Sequence, residues 1–318
     1  MIDKKDRELI RILDINSRTT NSEISKRVGI SKQLVAYRIE KLCDNGVIEK
    51  FYTIINGVKL GYLYFRVYLK FQGLTSETEL QLTDAFVRCK FTTWVVKCRG
   101  SWNLVVSIYA TDTDEFVRTY QEIVEPFQKN ILAKKVVLVQ NVLFSTRDYL
   151  SGSEGSVDSI YGGISEKQII DKIDHLILKE LSRNSRSKLI HLAKIADANV
   201  ETVKAHIRNM EKSGIIRAHK LTLGYSKLGV LFYIIPINLS NASEAARKKI
   251  QNYCKSHPNI VYLVNIIGDH DIDLEIEVEN QSQLDSLIQD LTNKFHDIIR
   301  DVDPIQIVQQ KKLDFYPF

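Results

Sequence analysis

Residues 20–48 read TNSEISKRVGISKQLVAYRIEKLCDNGVI. Thr20 or Asn21 is placed to cap a helix over 22–28, in which Ile24 and Val28 lie four apart. Gly29 follows it as the residue best suited to a left-handed stop. Ser31 caps a further helix over 32–45, ended by Asn45-Gly46. On that helix Val35, Ile39 and Leu42 form one apolar stripe, which turns Gln33, Tyr37 and Lys41 outward. Upstream, Leu9, Ile10 and Leu13 recur at helical spacing behind Asp3 and Asp6, carboxylates that suit a helix start. Two helices joined through a glycine turn, the second with a polar outer face, make a helix-turn-helix pattern. An outer face of Lys and Gln is equally that of a small solvated bundle, so spacing alone leaves nucleic-acid binding and bare solvation both open.

The pattern occurs twice. An offset of 168 residues superposes Asn16-Ser17-Arg18 on Asn184-Ser185-Arg186 and Lys59-Leu60-Gly61 on Lys227-Leu228-Gly229, with 16 identities in 61 ungapped pairs from residue 3 to 63. Duplication explains this. Beyond residue 47 the apolar period shortens: Val47, Ile48, Phe51, Tyr52, Ile54 and Ile55 predict a strand pair or wing. After Gly61, LYFRVYLKF, TSETELQLTDAFVRC, FTTWVVKC, LVVSIYA, DTDEFVRTYQEIVEPFQKNI and KKVVLVQNVLF predict strand, helix, strand, strand, helix, strand. That order is the ferredoxin-like split βαβ unit, and the second copy repeats it.

The expected fold class is therefore α+β, two copies of a winged helix-turn-helix domain each followed by a ferredoxin-like βαββαβ domain. The expected boundaries are 1–60, 61–148, a linker over 149–170 turning helical near its end, 171–228 and 229–318.

Composition narrows the function classes. The 318 residues are 44% hydrophobic with only 5 Pro and 14 Gly, which excludes collagenous and low-complexity chains. No apolar run approaches the eighteen or so residues of a membrane span, and MIDKKDRELI carries charge where a signal peptide needs an apolar core, so a cytoplasmic protein without membrane contact is expected. Residues 1–60 hold 12 Lys+Arg against 8 Asp+Glu, residues 171–228 hold 12 against 6, and residues 229–318 hold 8 against 13. Positive charge thus concentrates in the two helix-turn-helix segments, which suits a polyanionic partner.

These residues resemble the Lrp/AsnC (feast/famine) family, in which an N-terminal helix-turn-helix precedes a βαββαβ sensing module, the RAM domain. The resemblance rests on Asp6, Ile10, Leu13, Asn16-Ser17-Arg18, Ile24, Gly29, Ser31, Val35, Arg38-Ile39, Leu42, Gly46-Val47-Ile48 and Leu60-Gly61-Tyr62. It implies double-stranded DNA as partner, with Ser31, Lys32, Gln33, Tyr37, Arg38 and Lys41 at the interface: Gln33 and Tyr37 for bases, the cations mainly for phosphates. The second copy departs from the pattern at Asp197, Asn199, Glu201 and His206, which leaves Lys204, Arg208 and Lys212 as phosphate contacts, with Arg217 and Lys220 as further candidates. The family's effector loop, Gly-x-x-Asp, is kept as Gly268-Asp269-His270-Asp271 and altered to Gly100-Ser101-Trp102-Asn103. Gly100, Asn103, Gly268, Asp269 and Asp271 are therefore the candidate residues for a small effector such as an amino acid, and two plain hairpin turns are the competing reading. The resemblance also implies a homo-oligomer through the RAM domains.

No Walker loop, GxGxxG or GxSxG is present, so no catalytic residue and no cofactor is expected. All seven histidines fall in the second copy without i, i+4 partners, and a metal is not expected. His270 among Asp269, Asp271 and Asp273 is the one local cluster of ligand type. Siroheme decarboxylases, built on the same architecture, supply the alternative enzymatic reading. A scaffold that has lost DNA binding is a third.

Overall fold

The computed structural model describes residues 2–150, 157–163, 166–240 and 243–316. The first copy begins with helices α1 (Lys4–Ile15), α2 (Asn21–Val28) and α3 (Lys32–Asp44), then strand β1 (Ile48–Ile55). Reciprocal capping boxes start the first two helices. The Asp3 side chain accepts from the Asp6 N–H, and the Thr20 side chain from the Glu23 N–H, while the Asp6 and Glu23 carboxylates reach back to the cap amides. Thr20, not Asn21, is the cap. Gly29 ends α2 at φ +70°, as its lack of a Cβ permits. In the second copy α6 (Lys172–Arg183), α7 (Leu189–Ala196), α8 (Val200–Lys212) and β7 (Ile216–Leu223) repeat the unit. Asp197 takes the left-handed position there at φ +49°, a conformation that short polar side chains tolerate.

The wing is not a hairpin within either copy. β1 pairs antiparallel with β7, so the two helix-turn-helix units share one ribbon. Its halves are exchanged: Ile54 and Ile55 of β1 pack with the second unit's Ile177, Leu178 and Leu181, while Leu221 and Leu223 of β7 pack with the first unit's Leu9, Leu13 and Leu42. The Arg18 guanidinium donates to the Ser185 and Ser187 carbonyls, and Arg186 donates to those of Ser17 and Thr19. Asn-Ser-Arg, a tripeptide identical in both copies, is thus the seam between them.

The α/β modules follow as β2 (Leu63–Phe71), α4 (Ser76–Arg88), β3 (Thr92–Arg99), β4 (Leu104–Ala110), α5 (Thr113–Val124) and β5 (Ile131–Ser145). The second comprises β8 (Leu231–Leu239), α10 (Glu244–Ser256), β9 (Ile260–Ile267), β10 (Ile272–Val278), α11 (Gln281–Lys294), β11 (Ile299–Val302) and β12 (Ile305–Leu313), after the short α9 (Tyr225–Leu228). β5 pairs with β2 along its first half and with β9 along its second; β12 pairs with β8 and then with β3. Since β8 also pairs with β10, the path β8-β10-β9-β5-β2-β4-β3-β12 returns to β8 as a closed ring. Closure leaves no unpaired edge along that ring.

Helices cover the outside. Phe65, Leu82, Phe86 and Phe116 form one outer layer, and Ile235, Ile250, Leu274 and Leu291 the other. The connection between copies departs from expectation. Residues 157–162 form strand β6, paired with β5, and Tyr161 is buried between the sheets. Residues 166–171 are not helical; α6 begins at Lys172, behind the Asp171 cap. The rest of the expected linker, 151–156 and 164–165, lies outside the described residues.

Candidate nucleic-acid interface

On α3 the apolar stripe of Val35, Ile39 and Leu42 is buried against α1 and α2, and this fixes what points outward. Lys32, Gln33, Tyr37 and Lys41 are exposed, Tyr37 at 58%, and the Lys41 ammonium stands 6.0 Å from the Tyr37 ring centroid. Ser31 holds the helix start, its Oγ accepting from the Leu34 N–H at 3.2 Å. The hydroxyl expected at a phosphate is thereby engaged as a cap. Arg38 is turned the other way. Its Nη1 donates to Asp3 Oδ2 at 2.8 Å and to Asp6 Oδ1 at 2.7 Å, fastening α3 to the start of α1. Bonds to Asp3 and Asp6 hold this guanidinium above its ordinary pKa; the Asp6 N–H and Arg38 hold Asp3 below the usual carboxylate range.

The equivalent face of α8 is chemically different. Val200, Glu201, Ala205 and Asn209 stand where α3 has Lys32, Gln33, Tyr37 and Lys41. The cations Lys204, Arg208 and Lys212 stand where α3 has Ala36, Glu40 and Asp44, so the positive stripe is rotated about 100° around the helix. Arg208 and Lys212 are exposed, while Lys204 donates to Glu201 at 2.6 Å. Lys220, read from sequence as a possible phosphate contact, is only 2% exposed; its ammonium faces Asp14 at 3.3 Å. Burial removes it from any outer surface.

The effector-loop candidates lie at the seam between the two modules. A Cβ on Gly268 would come within 3.1 Å of Val137 on β5, and one on Gly100 within 3.3 Å of the Pro304 carbonyl oxygen. Asn103 Oδ1 accepts from the Phe71 N–H at 2.8 Å, and the equivalent Asp271 Oδ2 accepts from the Leu239 N–H at 2.8 Å. The two residues thus close the same strand end in each copy. The charge that distinguishes them is met by Arg247 on α10, 2.7 Å from Asp271 Oδ1. Asp269 reaches across the seam to Lys135 at 2.5 Å. The three aspartates do not share a face: Asp269 is exposed, Asp271 half-buried and Asp273 buried, with His270 Nε2 2.7 Å from Asp273 Oδ1.

Sequence reasoning missed the charged interior. Asp273, Glu275 and Glu277 alternate along β10 and point into the ring. Arg66 donates to Asp273 and Glu275 at 2.8 and 3.0 Å, and its guanidinium lies 4.9 Å from the Trp94 ring centroid. Arg147 donates to Asp14 Oδ1 at 2.5 Å and to both Glu277 oxygens at 2.9–3.0 Å, and Tyr149 donates to Glu277 at 2.6 Å. Burial would raise the Asp14 carboxyl, but Lys220 and Arg147 outweigh it and hold the group below the usual range. Glu275 goes the other way: burial pushes it up against the pull of Arg66. The space nearby, lined by Tyr52, Arg66, Trp94, Tyr161, Tyr262 and Phe315, amounts to about 40 Å³. Alternation of charge with Leu274 and Ile276 in IDLEIEV marks a two-faced strand but does not say that its charged face is the one enclosed.

Comparison with known proteins follows this division into copies. A winged helix-turn-helix DNA-binding family matches twice, at residues 2–49 and 170–217. The uncharacterized HTH-type transcriptional regulator PH1055 of Pyrococcus horikoshii is 30% identical over 142 residues, 43% of this chain and 86% of its own length. A Pyrococcus abyssi regulator, PYRAB00690, is 32% identical over 44% of this chain and 94% of its own. The crystal structure of the siroheme decarboxylase NirDL superposes on 99% of this chain and 94% of that one, with a TM-score of 0.62 at 11% identity, a likeness of fold alone. No described helix is long and apolar enough to cross a membrane. With each such relative matching the length of about one copy, and with both copies carrying the helix-turn-helix and its α/β module, the chain belongs to the Lrp/AsnC-like helix-turn-helix transcriptional regulators, in tandem form.

Proposed function

We propose that this regulator recognises double-stranded DNA in a sequence-specific manner, in the cytoplasm, with unequal halves: α3 reads bases and α8 holds phosphates. The observation that carries this reading is the exposed Lys32, Gln33, Tyr37 and Lys41 face of α3, against Val200, Glu201, Ala205 and Asn209 on α8. Gln and Tyr are side chains able to bond base edges, whereas a glutamate facing phosphates is repelled. Because the halves differ, the bound site need not be palindromic. Selection of genomic DNA fragments by the full chain, followed by sequencing, tests this reading. Wild type should enrich a motif that Gln33→Ala with Tyr37→Ala loses; a motif unchanged in the double variant refutes the assignment.

A small effector such as an amino acid at the 100–103 and 268–271 loops is the finer part of the proposal. Their position at the module seam supports it, since a ligand there would touch both modules. Occupation of both Asp271 oxygens by Leu239 and Arg247 sets its cost: a cationic amino group must displace Arg247. Calorimetry with an amino-acid panel on wild type and Asp271→Asn is the measurement, and binding indifferent to Asp271→Asn moves the site elsewhere. Association of chains through the RAM domains is read from the mass in solution by light scattering.

We infer a non-enzymatic role. The named relatives, HTH-type transcriptional regulators, support it, and the space inside the strand ring, about 40 Å³, has room for roughly one water. Tyr161 and Phe315 border that space, meeting edge to face at 5.6 Å.

A further inference from the structure

The two helix-turn-helix units are fastened by one device with different chemistry. In the first, a single cationic nitrogen, Arg38 Nη1, sits between Asp3 and Asp6 at 2.8 and 2.7 Å. In the second, Asp171 and Asp174 occupy the same capping positions on α6, but residue 206 of α8 is histidine. His206 Nδ1 lies 2.8 Å from Asp174 Oδ1 and 3.9 Å from Asp171 Oδ1, and one donor atom from each of the three residues lies within 4.8 Å of the other two. The copies therefore agree on two carboxylates and differ in what neutralises them. Arginine is permanently charged; histidine is not, but its ring nitrogen is a metal ligand.

We propose that Asp171, Asp174 and His206 bind a divalent transition-metal ion, zinc in the first instance, in the place that the Arg38 guanidinium takes in the first copy. Two observations independent of each other point to it. One is the donor set, an imidazole nitrogen with two carboxylate oxygens, which suits Zn²⁺ or Co²⁺ and excludes a site built of hard oxygen ligands alone. The other is the first copy, where the same pair of carboxylates already holds a cation. The geometry fits: ligand atoms about 2.1 Å from a tetrahedral ion lie about 3.4 Å apart, and 2.8 and 3.9 Å straddle that value. His206 and Asp174 are largely buried, at 23% and 16% side-chain exposure, while Asp171 at 57% leaves an open side for water. Two carboxylates offset the repulsion that a cation meets at the positive end of α6. The bound ion would tie α6 to α8 as Arg38 ties α1 to α3.

Titration of the full chain with ZnCl₂, and with CoCl₂ for its visible absorption bands, tests the site with no DNA present, so its result stands apart from the DNA-binding proposal. Wild type should bind one ion per chain at micromolar concentration and melt higher with zinc than with magnesium. His206→Arg, which copies the first unit's clamp, should fold and lose that ion. Arg38→His should do the reverse and raise the stoichiometry from one to two. Absence of binding, half-saturation only at millimolar zinc, or an unchanged stoichiometry in His206→Arg overturns the proposal; so does a folded Arg38→His that gains no ion. If Arg38→His does not fold, the His206→Arg titration decides.

Discussion

The hydroxyls of Ser17 and Ser185, 168 residues apart, lie 2.5 Å from each other in a buried hydrogen bond. They occupy the same position in each copy, so this contact sits on the approximate two-fold axis that relates them. Flanking bonds obey the same symmetry: the Ser17 N–H donates to the His219 carbonyl and the Ser185 N–H to the Phe51 carbonyl, at 2.9 and 3.2 Å. A pairing that single-copy relatives would need two chains to make is here closed within one.

The arginine clamps beside this axis predict a stability effect. Arg18→Ala leaves two carbonyls of the seam without their donor, and Arg186→Ala does the same on the other side. Each should cost about 1–3 kcal/mol in urea unfolding. The pair should be non-additive, because both act on one interface. Additive losses would mean that the clamps act on separate elements.

Arg147→Met should be more damaging, by about 3–5 kcal/mol, because it strands Glu277 as a buried charge and leaves Asp14 with Lys220 alone. Adding Glu277→Gln should recover part of the loss by removing the stranded charge. Equilibrium denaturation of the single and double variants checks both signs; a loss under about 1 kcal/mol would contradict the buried ion-pair reading.

The pH dependence of stability carries a signature of His219. Burial holds this imidazole below the ordinary histidine value of 6.5, against a bond to Glu211 and with Arg18 adding to the effect. Thr53 Oγ1 contacts its Nδ1 at 2.9 Å from β1. A folded-state pKa below the unfolded one means that the unfolded chain takes the proton first. Stability is then full above about pH 6.5 and declines as pH falls through the folded value. His175 and His257 shift in the same direction, so melting temperature should fall between pH 7.5 and 5.5 in wild type and fall less in His219→Gln. An identical slope in both proteins would remove His219 from the account.

Two sets of surface substitutions should separate the roles of the copies. Gln33→Ala with Tyr37→Ala should flatten sequence preference. Arg208→Ala with Lys212→Ala should instead weaken all DNA sequences alike and make the salt dependence shallower, by about one in slope for each phosphate no longer neutralised. Deleting residues 1–60 is no substitute. It would remove β1, whose Ile54 and Ile55 belong to the core of the second unit. Binding competition at two salt concentrations distinguishes the two sets; equal effects on preference would mean that α8 also reads bases.

The helices, their caps and the order of strands were legible because each is written locally. A capping box needs four consecutive residues, and a buried helix face needs only its own period. Hence Asp3, Thr20, Gly29 and Ser31 stand where their neighbours predicted, and the 168-residue repeat carried the same reading into the second copy. Strand partners are not local. The apolar residues of 48–55 announce a strand, but nothing within them says that its neighbour is β7, from the other copy. IDLEIEV misleads for the same reason. Alternation normally puts charge in water, yet here the ring closes over the charged face, and Asp273, Glu275 and Glu277 meet Arg66 and Arg147 inside it. Local pattern suffices for two copies of one unit and for the outward face of α3. The exchange of strands between copies and the burial of an ionic core emerge in the folded chain alone, because pairing and burial depend on segments far apart in the sequence, which no local period records.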